Sequence, residues 1–138
     1  MKGLHTLIKI RKKELDEIRS QIGQLLVKQE SFEHAKDIIA ENLAVQTEFA
    51  TNYPEMDFAF GPFYAKCTLA IEGFNMEIRK IENEVLKLRD ILAGHFSELK
   101  RFEIVLENRL RIEEEELKKE ETKILDEVGL RKFLNNDN

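Results

Sequence analysis

Thr51-Asn-Tyr-Pro-Glu-Met-Asp-Phe-Ala-Phe-Gly-Pro62 holds both prolines of the chain, and the helical spacing of apolar residues on either side lapses there. Proline has no backbone N–H and drives the residue before it out of the helical region, so Tyr53 and Pro54 end the segment that precedes them. Gly61-Pro62 carries the reverse signal, because glycine serves at an N-cap and proline at the first helical position. A helix stops, the chain turns within about ten residues, and a helix begins. The expected organisation is a single all-α domain over residues 1–138, a two-helix antiparallel coiled-coil hairpin. Helix 1 is expected at 4–51, the turn at 52–61 and a longer C-terminal helix at 62–133.

Upstream of the turn, positions 4, 8, 11, 15, 18, 22, 25, 29, 32, 36, 39, 43, 46 and 50 alternate steps of four and three, the heptad seam of a coiled coil. Ten of the fourteen are apolar, and the exceptions Arg11, Gln29, Lys36 and Gln46 have stems long enough to lie along a seam with their heads in water. At 1.5 Å per residue this first helix spans roughly 70 Å. Downstream, Ile71, Phe74, Ile78, Ile81, Val85, Leu88, Leu92, His95, Leu99, Phe102 and Leu106 repeat the rule, interrupted only by His95. Two antiparallel registers bring the seams together, with facing residue numbers summing to about 110 or about 117. The first is preferred: it sets Leu4 by Leu106 and Leu25 by Val85, whereas the second sets Ile8 against Arg109.

That register gives meaning to a slip in the spacing at Leu106. The next apolar positions are Leu110 and then Leu117, so the step of four from Phe102 to Leu106 is followed by a second step of four to Leu110, and the strict heptad ends where helix 1 runs out of chain. From Arg111 to Lys123 only Ile112 and Leu117 are apolar, among six glutamates and four basic residues. Glu114 with Lys118 and Glu115 with Lys119 are i,i+4 pairs in the favourable order, each contributing about 0.2 to 0.5 kcal/mol. The second helix is thus expected to project roughly 40 Å beyond the first, from Glu107 to about Phe133. Gly129 either ends that projection or weakens it.

A charged fraction of 36% with no tryptophan fits a thin helical body better than a thick core. The regular apolar spacing argues against disorder, the other state that such charge favours. A net charge of −5 argues against a nucleic-acid partner and leaves proteins as the expected partners. Cys67 is the one cysteine, which suits a reducing compartment. No apolar run reaches membrane-spanning length and the opening residues lack the pattern of a signal peptide, so the expected location is cytoplasmic, with at most peripheral membrane association.

No catalytic constellation is visible. His5, His34 and His95 are far apart, HExxH and CxxC spacings are missing, and there is no glycine-rich phosphate loop. A coiled coil also lacks the concave pocket in which a catalytic group is desolvated. The chain is therefore read as a non-enzyme with no cofactor and no metal site. His34 is expected on the outer face of helix 1 and His95 on the seam.

Three stretches are candidate partner-binding sites instead. Six of the eleven aromatics, Phe49, Tyr53, Phe58, Phe60, Phe63 and Tyr64, fall within sixteen residues at the turn. They either cap their own tip or anchor a partner. At the N-terminus, Lys2, Lys9, Arg11, Lys12 and Lys13 precede any acid and oppose the helix macrodipole. They are offset either by Glu113 to Glu116 of the neighbouring helix, or by an acidic protein surface or phospholipid. Near the C-terminus, Ile124, Val128 and Phe133 make the projection apolar again, as at a binding end, unless fraying or self-association accounts for them.

The opening Leu4-His-Thr-Leu-Ile-Lys-Ile-Arg-Lys-Lys-Glu-Leu-Asp-Glu-Ile-Arg19, the hairpin with a longer second helix, and the closing Leu125-Asp-Glu-Val-Gly-Leu-Arg-Lys-Phe133 together resemble the flagellar FliJ family. Members are small cytoplasmic coiled coils of the flagellar type III protein export apparatus, similar to the central stalk of rotary ATPases. The resemblance implies insertion of the terminal end into a hexameric export ATPase ring, promotion of its assembly and hydrolysis, and linkage to a membrane export-gate protein at the inner membrane. It also implies a role in escorting export chaperones. The aromatic turn matches no family pattern, so no gate-binding residue is carried over. The rival reading is a helical-hairpin chaperone or coiled-coil scaffold, prefoldin-like and without an ATPase partner; a third is a homodimerising structural coil.

Overall fold

The computed structural model describes residues 2–56 and 58–136. Helix α1 runs Lys2–Asn52, a single 3-10 turn covers Pro54–Met56, and helix α2 runs Phe60–Asn136. The described residues contain no strand, and the two helices pack antiparallel, the second 77 residues long against 51 for the first. By internal packing the chain falls into two units, one of Glu14–Gly94 and one of Met1–Lys13 with His95–Asn138.

In the first unit, Ile22, Ile81 and Val85 form the buried centre, with Ile18, Leu25, Phe32, Leu88 and Leu92 packed around it. All eight are seam positions. The rings of Phe32 and Phe74 meet at 5.7 Å, tilted by 40°, an arrangement that aromatic pairs favour. Lys36 donates from Nζ to Oδ1 of Asn75 at 3.1 Å and pairs with Glu33 at 3.2 Å. In the second unit, Ile8 and Leu99 are buried, and Leu4, Phe102 and Leu106 are half-buried. Arg11 donates from Nη2 to Oε1 of Glu98 at 3.2 Å.

These two polar links fix the register independently of the apolar residues. Arg11 with Glu98 sums to 109 and Lys36 with Asn75 to 111, both beside 110 and far from 117. Burial follows the seam closely. Every α2 seam position from Ile71 to Leu106 is shielded at least in part, and of the fourteen in α1 only Gln46 is exposed. Seam residues Arg11 and Lys36 do more than lay down their stems, since each head finds a partner beside the seam.

The helix ends differ from expectation. Phe63 N–H donates to Ala59 C=O at 3.3 Å, so α2 is capped at Ala59 and Pro62 lies third in the helix instead of first. The first four N–H groups of any helix lack an intrahelical acceptor, so proline loses nothing anywhere in that turn. At the other end, α2 continues through Gly129 to Asn136. No described glycine has a positive φ, so Gly129 is an interior residue and not a left-handed cap. Its cost of about 1 kcal/mol relative to alanine weakens the helix without ending it.

The seam predicts unequal costs for equal deletions. Ile81→Ala removes a side chain only 5% exposed and should destabilise the chain by about 2 to 4 kcal/mol in urea melts followed by circular dichroism. Leu117→Ala removes one that is 62% exposed, where alanine is also the better helix former, and should change stability by less than about 0.5 kcal/mol.

Candidate interaction surfaces

The turn is built by two backbone bonds. Tyr53 N–H donates to Phe49 C=O at 2.9 Å as the last bond of α1, and Met56 N–H donates to Tyr53 C=O at 2.9 Å. Pro54 has no N–H to extend the helix, so the chain tightens into the 3-10 turn. Thr47 and Thr51 each return a hydroxyl hydrogen bond to the carbonyl four residues earlier, at 2.6 and 2.8 Å.

This geometry divides the aromatics between the two expected roles. Phe60 and Phe63 are half-buried and, with Gln46, Phe49, Ala50, Met56 and Ala59, line an open cleft of about 330 Å³. Phe49 and Tyr53 stack at 5.0 Å, and Phe60 and Tyr64 at 6.1 Å, each pair one helical turn apart. Tyr53 and Tyr64 keep about half their surface in water, and Phe58 is 87% exposed. The tip is thus capped by two phenylalanines while a third stands outside it.

Cys67 is buried and extends the α2 seam one step back from Ile71, a position that sequence reasoning passed over. Its signal was the spacing, since four residues separate it from Ile71. From Cys67 the shielded positions step back to Phe63 and Phe60, not to Tyr64.

Among the described residues, Glu113 to Glu116 form no ion pair with the N-terminal basic residues. Arg11 turns inward to Glu98, with 26% of its side chain exposed. The register explains this, because residue 113 lies beyond the start of a helix whose facing numbers sum to 110. Lys12 and Lys13 remain exposed. Glu114 instead pairs with Lys118 on its own helix at 3.6 Å, as its spacing predicts. His34 is exposed and His95 is partly shielded on the seam, both as expected.

Beyond Leu106 the environment changes completely. Every described residue from Glu107 to Asn136 is helical and exposed, about 45 Å of solvated helix. Leu110, Leu117, Ile124 and Val128 recur on one of its faces, and Leu130, Phe133 and Leu134 add apolar surface on another. No helix among the described residues is long and apolar enough to cross a membrane, and no group of three potential metal ligands occurs among them.

Compared with known protein families, curated proteins and solved structures, the chain matches none.

The division at the tip can be tested by two substitutions that differ only in burial. Phe60→Ser should lower stability by about 1 to 3 kcal/mol, whereas Phe58→Ser should leave the melting temperature within about 2 °C. Equal losses in parallel thermal melts would show that Phe58 also belongs to the cap.

Proposed function

We propose that the chain is a stalk-like component of flagellar type III protein export, in which the solvated part of α2 enters the ring of a hexameric export ATPase and promotes its hydrolysis. The single observation that supports this reading is the thirty-residue helix from Glu107 to Asn136, exposed on all faces while continuous with a packed hairpin. A helix anchored at one end and free at the other can reach into a ring lumen. Its apolar stripe gives the ring side chains to grip, and its mixed charges keep it solvated beforehand. The opening and closing blocks that resemble the FliJ family support the same assignment, and with it contact to a membrane export gate and to export chaperones. The protein acts in this reading by binding and by transmitting position, with no catalytic group of its own. Its place of action is the cytoplasm, beside the inner membrane.

A second reading has one specific observation in its favour. Phe58 stands almost wholly in solvent beside an apolar cleft, as a hairpin chaperone or scaffold of prefoldin type requires. That reading needs the tip and not the extension.

Truncation after Arg109 separates them. The hairpin should keep its melting temperature, because the described residues removed are all exposed, while stimulation of the export ATPase falls to the basal rate. A truncated chain that stimulates as well as the full one would overturn the stalk reading. Loss of client-aggregation suppression in Phe58→Ser, with the truncation harmless, would establish the alternative.

A further inference from the structure

Within the unit of Met1–Lys13 and His95–Asn138, charges of opposite sign face water and stay unpaired. On α1, Lys2, Lys9 and Lys13 are exposed on the side turned away from the seam, with Ile10 beside them at 48% exposure and no acid before Glu14. On the extension of α2, Glu113, Glu120 and Glu127 recur every seven residues beside the line of Leu110, Leu117 and Ile124. Glu114 and Glu121 flank that line on its other side. The four bases of the same span, Arg111, Lys118, Lys119 and Lys123, lie on the remaining faces. Of these five carboxylates only Glu114 takes part in an ion pair among the described residues, and none of the three lysines does. The register keeps the two surfaces apart. It sets Lys2 opposite about residue 108, so the acidic line begins where α1 stops, and the lysines point away from α2.

We propose that a second copy of the chain joins these surfaces: its α1 lies along the acidic side of the extension, and the two chains exchange this contact about a two-fold axis. An axis perpendicular to the helices makes α1 of the second copy run parallel to the extension. With Lys2 of the second copy beside Glu113, the shared spacing of seven brings its Lys9 beside Glu120, and its Lys13 falls between Glu120 and Glu127. The same offset sets Thr6 of the second copy by Leu117 and its Ile10 within one turn of Ile124, side chains 62% and 53% exposed in the single chain. Because α1 of the first copy stops near residue 108, the line it covers on α2 is open beyond that point, and α1 of the second copy takes it up. Two extensions laid face to face are disfavoured, since that face carries carboxylates alone between Leu110 and Val128 and like charges repel. The inference is independent of the stalk reading, whose test is ATPase stimulation and not mass.

Sedimentation equilibrium on the full chain from about 5 to 200 μM should show a mass rising from one chain towards two. The dimer should dissociate about threefold or more readily when salt is raised from about 0.05 to 0.5 M. Lys2→Glu combined with Lys9→Glu and Lys13→Glu should stay monomeric over the same range, and so should Glu113→Lys combined with Glu120→Lys and Glu127→Lys. An equimolar mixture of the two variants should regain the dimer. In it the acidic extension of the first meets the lysines of the second, and the basic extension of the second meets the new carboxylates of the first. All six substituted side chains are exposed, so helical content by circular dichroism should match the parent chain. A parent chain monomeric throughout, a dimer that survives either reversal, or variants that stay monomeric when mixed would overturn the proposal.

Discussion

Among the described residues, each of the eight buried side chains, Ile8, Leu15, Ile22, Cys67, Ile78, Ile81, Val85 and Leu99, lies at a seam position of its own helix. Two helices can cover each other along a single line only, so each layer keeps one flank near water, and no described side chain falls below 2% exposure. Stability in such a structure is gathered layer by layer, with no central core to dominate it. A polar residue on the seam is tolerable under these conditions because its head reaches a wet flank within the length of its own stem. Arg11 and Lys36 show how that freedom is used: each takes a partner across the seam, and those partners distinguish the true register from its neighbour.

The parts of this fold that were legible in the sequence are those governed by period and by proline. Alternating steps of three and four identified the shielded face of both helices almost residue by residue, because burial on a coiled coil is a function of angle alone. The slip at Leu106 announced the end of pairing, because a partner no longer constrained the spacing beyond it. Less legible were events decided by one local contact. The start of α2 at Phe60 depends on which carbonyl accepts the bond of Phe63, and proline is neutral to that choice within the first turn. The pairing of Arg11 with Glu98 follows from the register, which brings the two positions opposite each other within one residue, whereas the acidic run Glu113 to Glu116 lies beyond the reach of that register.

The tip shows a different limit. Sequence could assemble six aromatics at the turn but could not apportion them, because an aromatic residue serves equally well as a cap and as an anchor. Which role each plays is set by where the two helix ends stop. Phe60 and Phe63 lie on the inward side of the first turn of α2 and so close the seam, whereas Phe58 precedes the helix and has no neighbour to cover it. A shift of α2's start to Gly61 would have left Phe60 in the turn as well. The half-residue distinctions of helix capping therefore decide how much apolar surface the tip presents.

The solvated part of α2 poses the sharper physical question, because an isolated helix of that length is marginal in water. Here the costly nucleus is already formed, since the paired segment up to Leu106 lets each further residue add one hydrogen bond without a new nucleation event. Leucine, glutamate and lysine propagate well, and the Glu114 pair with Lys118 adds a few tenths of a kcal/mol. Against this, Gly129 in the helix interior makes local opening easier around it. A partner that gripped Ile124 to Phe133 would lose part of its contact energy to ordering the least stable part of the helix. An exposed apolar stripe on a helix propagated from a folded base keeps its apolar side chains in water at the expense of no new nucleation event.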